Sequence, residues 1–193
     1  MPQNHQDSLL FPALQSISKL LQEDDVQGMI IGGLAASLLG RPRYTNDIDL
    51  LILDLDNRLP EFIKKLKKFG IRPRIQHPQN FAKESRMLLM RHQESGINID
   101  ISMGILPFER DAVARRQTKS SLGLEIILPS PEDLIIIKSI SKRPMDLEDI
   151  KAIILRHPNL DKKSILTAVS EFADVLEKKD LHERIRDLFD QET

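Results

Sequence analysis

The run Asp47-Ile48-Asp49-Leu50-Leu51-Ile52-Leu53 constrains the fold more than any other segment. Its β-branched and aliphatic residues predict a strand. Side chains alternate along a strand, so Asp47 and Asp49 share a face about 6–7 Å apart, while Ile48 faces a core. Two carboxylates side by side beside so apolar a run are costly unless a positive charge compensates them. A divalent cation does this well, since magnesium takes oxygen ligands, commonly one or two carboxylates together with substrate phosphates.

A third carboxylate is within reach. Ile97-Asn98-Ile99-Asp100-Ile101-Ser102 alternates apolar and polar, which predicts a half-buried strand with Asn98, Asp100 and Ser102 on its polar face. Met87–Arg91 precedes it and reads as the first arm of a hairpin that returns at Gly96. If the Asp100 strand neighbours the Asp47 strand, the three carboxylates form a site able to hold two metal ions about 3.5–4 Å apart.

Upstream, Val26–Ile31 reads as a short strand and Leu34–Leu39 as a short helix ending at Gly40, with Gly32-Gly33 at the junction. Glycine lets backbone amides approach a ligand closely, and a helix start offers unpaired N–H groups and partial positive charge, so a phosphate suits this place. Arg43 and Thr45 lie just before the acidic strand and supply further phosphate-binding groups.

Gly32-Gly33, then Arg43-x-Thr45-x-Asp47-x-Asp49, with Asp100 on a later polar strand, resembles the DNA polymerase β-type nucleotidyltransferase superfamily. Members move a nucleoside monophosphate from a nucleoside triphosphate to an acceptor and release pyrophosphate. The resemblance implies an α/β (α+β) fold: a small mixed sheet with flanking helices. It implies that Asp47, Asp49 and Asp100 are the catalytic, magnesium-binding carboxylates (manganese being an alternative ion), and that Gly32 and Gly33 hold the triphosphate. Gly33 stands where many members carry serine, so that hydroxyl contact is missing here. The Gly-Gly version occurs in the branch holding bacterial abortive-infection toxins and small antibiotic-modifying enzymes.

A second stretch extends the likeness. Ser130-Pro131-Glu132-Asp133 carries strong helix-start signals, and Lys138 follows inside an apolar run. With Arg143-x-x-Asp146-x-x-Asp149-Ile150, it is similar to the toxin-type pattern, which implies nucleotide-binding roles for Lys138 and Asp146. The plainer readings are that Lys138 snorkels to solvent and that Asp146 caps the next helix. The acceptor implied by the toxin branch is tRNA, with an antitoxin protein as partner; the antibiotic-modifying branch implies a small-molecule hydroxyl. A non-catalytic, nucleotide- or partner-binding member is the remaining alternative.

Composition narrows the classes further. A net charge of −1 excludes a globally basic nucleic-acid binder. One basic run, Lys64 to Arg74, could contact phosphate backbone but more often is a solvated helix face, and Arg110, Arg115, Arg116 and Lys119 form a second basic group. The chain has no cysteine, which removes disulfides, thiol catalysis and cysteine zinc sites. His77, His92, His157 and His182 lack metal-ligand spacing and read as surface residues. No secretory leader and no apolar span of about 18 residues is visible, so a soluble cytoplasmic protein is expected.

The pattern predicts helices near Phe11–Gln22 and Leu59–Phe69, and strands near Ile71–Gln76 and Leu122–Leu128. Phe11, Leu14, Ile17 and Leu21 are assigned to the core. After Ser130 the pattern is helical: Pro131–Ser141, Asp146–Leu155, Asp161–Glu177 and Leu181–Phe189, with an apolar stripe of Ile165, Val169, Phe172, Val175 and Leu176. Two regions are expected: a catalytic α/β unit with its N-terminal helix (1–128) and a C-terminal helical region (129–193).

Overall fold

A computed structural model describes residues 7–141, 143–178 and 180–191, with side-chain environments from residue 9. Of the described residues, those within 1–34 and 45–128 form one compact unit, and those within 35–44 and 129–193 form a second.

The first unit holds helix α1 (Asp7–Leu21), strand β1 (Gly28–Ile31), the start of helix α2 (Gly32–Leu39), and β2 (Asp47–Leu53). Then come α3 (Leu59–Lys68), β3 (Ile71–Pro73), α4 (Pro78–Ser85), β4 (Met87–His92), β5 (Asn98–Gly104), α5 (Pro107–Ala114), β6 (Gln117–Ser121) and β7 (Leu124–Leu128). Five strands make one mixed sheet in the order β1-β2-β5-β4-β3, and β6-β7 is a separate hairpin. Only β2 and β5 run parallel; the other neighbours in the large sheet are antiparallel. The fold is therefore mixed α+β, as the resemblance implies.

Alternation explains why the sheet has two unlike faces. Ile48, Leu50, Ile52, Leu88, Met90, Ile99 and Ile101 all point one way and are buried. The opposite face carries Asp47, Asp49, Asn98, Asp100, Met87 and Leu89, all partly exposed. Helix α3 contributes Leu59, Phe62, Ile63 and Leu66 to the buried core. Its lysine face stays outside, with Lys65 paired to Glu23 and Asp25.

Three expectations need correction. Phe11 is exposed, because the buried side of α1 runs through Ala13, Leu14, Ile17, Leu20 and Leu21. His92 is not a surface residue but is 3% exposed. Its Nδ1 faces both the Ser95 hydroxyl (2.9 Å) and the Ser95 backbone N–H, while Nε2 lies 3.2 Å from the Ser16 hydroxyl. A ring that accepts a backbone N–H at Nδ1 is neutral, with its proton on Nε2 for Ser16. Burial holds its pKa below the usual histidine value, against a smaller upward pull from Glu94. Finally, the stripe on α8 (Lys162–Val175) buries Ile165, Val169 and Ala173, whereas Val175 and Leu176 are exposed where the helix runs out.

The second unit is helical: α6 (Pro131–Ser139), α7 (Pro144–Arg156), α8 and α9 (Asp180–Gln191). Ser130 caps α6 by accepting the Asp133 backbone N–H at 3.0 Å, and Pro131 takes the first turn, where a missing N–H is harmless. Residues 35–44 belong here: the Arg156 guanidinium donates to the Gly40 carbonyl (2.7 Å), and Gly40 lies so close to α7 that a Cβ would stand 3.2 Å from that of Ala152. Among the described residues no helix is long and apolar enough to cross a membrane.

Candidate active site

The parallel pairing of β2 with β5 sets Asp47 opposite Asn98 and Asp49 opposite Asp100. Strands lie about 4.8 Å apart, so Asp49 and Asp100 are lateral neighbours on the open face. Asp47 is one pleat away on the same face, and all three are half-buried. The sequence placed these carboxylates on polar strand faces; the register brings them to one patch.

Gly32 closes one side of the patch. Its φ is +65°, a left-handed conformation that suits glycine. A Cβ at Gly32 would stand 1.8 Å from Oδ2 of Asp49, so the carboxylate occupies the space a side chain would fill. Two independent requirements, backbone and volume, thus fix glycine here. Gly32 and Gly33 also open α2, whose first N–H groups lack helical partners.

Thr45 acts on Asp47. Its hydroxyl donates to Oδ1 of Asp47 at 2.8 Å and also lies 3.2 Å from the Asp47 carbonyl. On the other side, the Arg74 guanidinium donates to Oδ1 of Asp100 at 2.6 Å. The sequence marks Arg74 only as the end of the basic run from Lys64, not as a partner of Asp100. It sits two strands away in the chain's pairing, and only the sheet order reveals it.

The donor set suits magnesium. Asp47, Asp49 and Asp100 present carboxylate oxygens, the hard donors magnesium takes, from two adjacent strands, and the absent side chain at Gly32 leaves the Asp49 carboxylate uncrowded by Cβ. Among the described residues no three acidic or histidine side chains converge as a closed cluster. Magnesium characteristically takes one or two carboxylates and completes its shell with substrate oxygens and water.

The helical unit carries its own charge cluster. Lys138, only 4% exposed at its side chain, donates to Asp146 at 2.7 Å and pairs with Asp149 at 2.8 Å. Arg43 engages both oxygens of Asp149 through Nε (2.8 Å) and Nη2 (2.9 Å), a two-pronged geometry that arginine favours. Burial pushes the Asp149 carboxyl up, but Arg43 and Lys138 together outweigh it and hold the group below the usual carboxylate range. Lys138 therefore does not snorkel. Asp146 stands in the first turn of α7 after the N-cap position at Arg143, and its carboxylate serves Lys138. The spacing of Asp149 from Asp146 puts both on one helix face, which is the sequence signal that joins Asp149 to this cluster.

A mixed sheet with paired and single carboxylates on adjacent parallel strands, opened by a glycine turn, defines a DNA polymerase β-type nucleotidyltransferase. The chain belongs to a family described as "Nucleotidyltransferase of unknown function (DUF6036)", whose model matches residues 8–191. Solved structures of similar fold include an antigenic nucleotidyltransferase-like protein from Paracoccidioides brasiliensis, with 19% identity, 93% of each chain covered and a TM-score of 0.56. The antibiotic-resistance factor ANT(2'')-Ia matches at 16% identity, covering 92% of this chain and 96% of that one, with a TM-score of 0.57. The lincosamide antibiotic adenylyltransferase LnuA, solved with lincomycin bound, matches at 17% identity over 76% of this chain and 95% of its own, with a TM-score of 0.51. At these identities the likeness is one of fold. Comparison with curated proteins finds no match.

Proposed function

We propose that the protein transfers a nucleoside monophosphate from a nucleoside triphosphate to an acceptor hydroxyl. The observation that carries this reading is the register of Asp49 with Asp100, beside a glycine whose Cβ position Asp49 fills. Gly32 and Gly33 present backbone N–H groups to the triphosphate. Asp47, oriented by Thr45, and Asp49 would hold magnesium, and Asp100 would complete the set from β5. Bound there, magnesium would neutralise charge on the phosphates and acidify the acceptor hydroxyl. Asp100 takes the hydroxyl proton. The hydroxyl oxygen forms its bond to the α-phosphorus as the bond to the bridging α–β oxygen breaks, and pyrophosphate leaves.

Arg43 and Thr45, just before the acidic strand, are read as further phosphate contacts, and the family resemblance assigns Lys138 and Asp146 to the nucleotide; their part is tested by the nucleotide affinity of Lys138→Met. The acceptor is a nucleic acid such as tRNA, in a toxin-type role with an antitoxin partner, or a small molecule such as an antibiotic. The deciding experiment is label transfer from each α-labelled ribonucleotide in magnesium, with total RNA and with small hydroxyl acceptors, in wild type and Asp47→Asn. Transfer lost in the variant supports the reading and names base and acceptor; transfer unchanged in the variant defeats it.

A further inference from the structure

On the open sheet face, acidic and basic residues are segregated by strand. The acidic side is β2 and β5. The basic side is β3 and β4, which place Arg72, Arg74 and Arg91 on the same face as Asp100. The register fixes this: Asp100 pairs with Leu89, Asn98 with Arg91, and Arg91 in turn with Arg72. The Arg74 backbone N–H donates to the Leu89 carbonyl at 3.1 Å, so Arg74 continues the same row. Side chains two residues apart share a face, which puts Arg72 with Arg74 and Arg91 with Leu89.

This arrangement is costly for the free protein. Arg72 and Arg91 are like charges directly opposite each other across strands, a destabilising placement. Both are exposed. Arg91 spends one N–H on the Asn98 side-chain oxygen at 3.1 Å. Arg74 is held by Asp100. A phosphate or other oxyanion would relieve the repulsion, and guanidinium forks match its geometry.

We propose that Arg72, Arg74 and Arg91 form an anion subsite on the β3–β4 side of the carboxylates, and that the acceptor carries a phosphate there. Gly32 flanks Asp49 at one end of the row and Arg74 flanks Asp100 at the other, so the subsite lies away from the glycine turn assigned to the triphosphate. Arg74 exchanges between Asp100 and the acceptor's phosphate. A polycationic acceptor would be repelled by the same three groups. That the bound anion belongs to the acceptor rests on the transferase reading, but the anion site itself does not.

The test is equilibrium binding of a labelled single-stranded oligoribonucleotide, and thermal stabilisation by inorganic phosphate, in the wild-type full chain and in the Arg72→Gln/Arg74→Gln/Arg91→Gln variant. Binding of a fluorescent nucleoside triphosphate is measured alongside. The expected result is oligoribonucleotide binding that weakens about tenfold or more in the variant, with the log–log salt slope falling by about 2 for three lost contacts. Phosphate stabilisation of wild type, absent from the variant and without oligoribonucleotide binding, supports the subsite with a small phosphorylated acceptor. Equal binding by both proteins, or no anion binding by wild type, overturns the proposal. Triphosphate binding that fails in wild type while the anion effect persists defeats the transferase reading and leaves the subsite. Should the triple variant not fold, Arg72→Gln/Arg91→Gln carries the test through two exposed positions, with an expected slope change of about 1.4.

Discussion

The open sheet face and the helical unit's charge cluster both gather acidic and basic side chains, yet they treat them oppositely. In the helical unit, Lys138, Asp146, Asp149 and Arg43 neutralise one another, and Lys138 and Asp149 are 4% and 6% exposed at their side chains. On the sheet, Asp47, Asp49 and Asp100 remain half open, and Asp100 is met by an arginine whose side chain is itself 25% exposed. A closed network of charges resists change because removing one member strands the others. An open one leaves coordination capacity for a ligand. The contrast is between a closed, mutually neutralised set of charges and an open set whose carboxylate oxygens a ligand can reach.

The largest effect is expected from Asp47→Asn, at the open face. Transfer should fall about 10³–10⁴-fold, about 4–5.5 kcal/mol of transition-state stabilisation, with an unchanged melting transition. A large loss of stability instead would place Asp47 with the structural charges. Lys138→Met should do the reverse, costing about 3–5 kcal/mol in urea unfolding, because the buried Asp149 and the half-buried Asp146 both lose a partner. Full stability in that variant would move Lys138 to the functional side. Gly32→Ala should cost about 1–3 kcal/mol from the left-handed backbone and abolish transfer as Asp49 is displaced. Retained activity would show that Asp49 has room to move.

The smallest effect concerns His92. Its pKa is depressed in the folded chain, so the unfolded chain binds the proton first as pH falls. Its contribution is complete above about pH 6.5 and is lost as pH falls through the lower, folded value. His92→Gln should flatten that part of the stability profile; an unchanged slope would show that His92 does not set it. For Asp149, also depressed, the stabilisation is present above about pH 4 and lost as pH falls further.

Much of this architecture was legible in the chain. The alternation in Asp47–Leu53 and Ile97–Ser102 announced two strands, and Ser130-Pro131 announced a helix start, because each signal is local. The hairpin arm β6 was not legible: Gln117-Thr118-Lys119-Ser120-Ser121 has no apolar alternation. Helix α4 starts after His77 in a left-handed conformation, and helix α5 has a weak apolar stripe, so neither declared itself. Within the candidate site, the carboxylates were readable because strand spacing sets their face. Arg74, Arg91 and Asp149 were not, since strand order and ion-pair partners are decided by contacts far apart in sequence.

The parallel pairing of β2 with β5 also bears on when the site comes into being. Asp49 and Asp100 are neighbours in space but are separated in the chain by α3, β3, α4 and β4. Parallel strands cannot meet through a tight turn, so this pairing demands closure of a long intervening segment. A chain emerging from the ribosome carries Asp47 and Asp49 early, but it cannot set Asp100 beside them until β5 has emerged and docked. The three carboxylates thus share one patch only after β5 has docked, and long-range pairing of this kind belongs to the slower steps of folding.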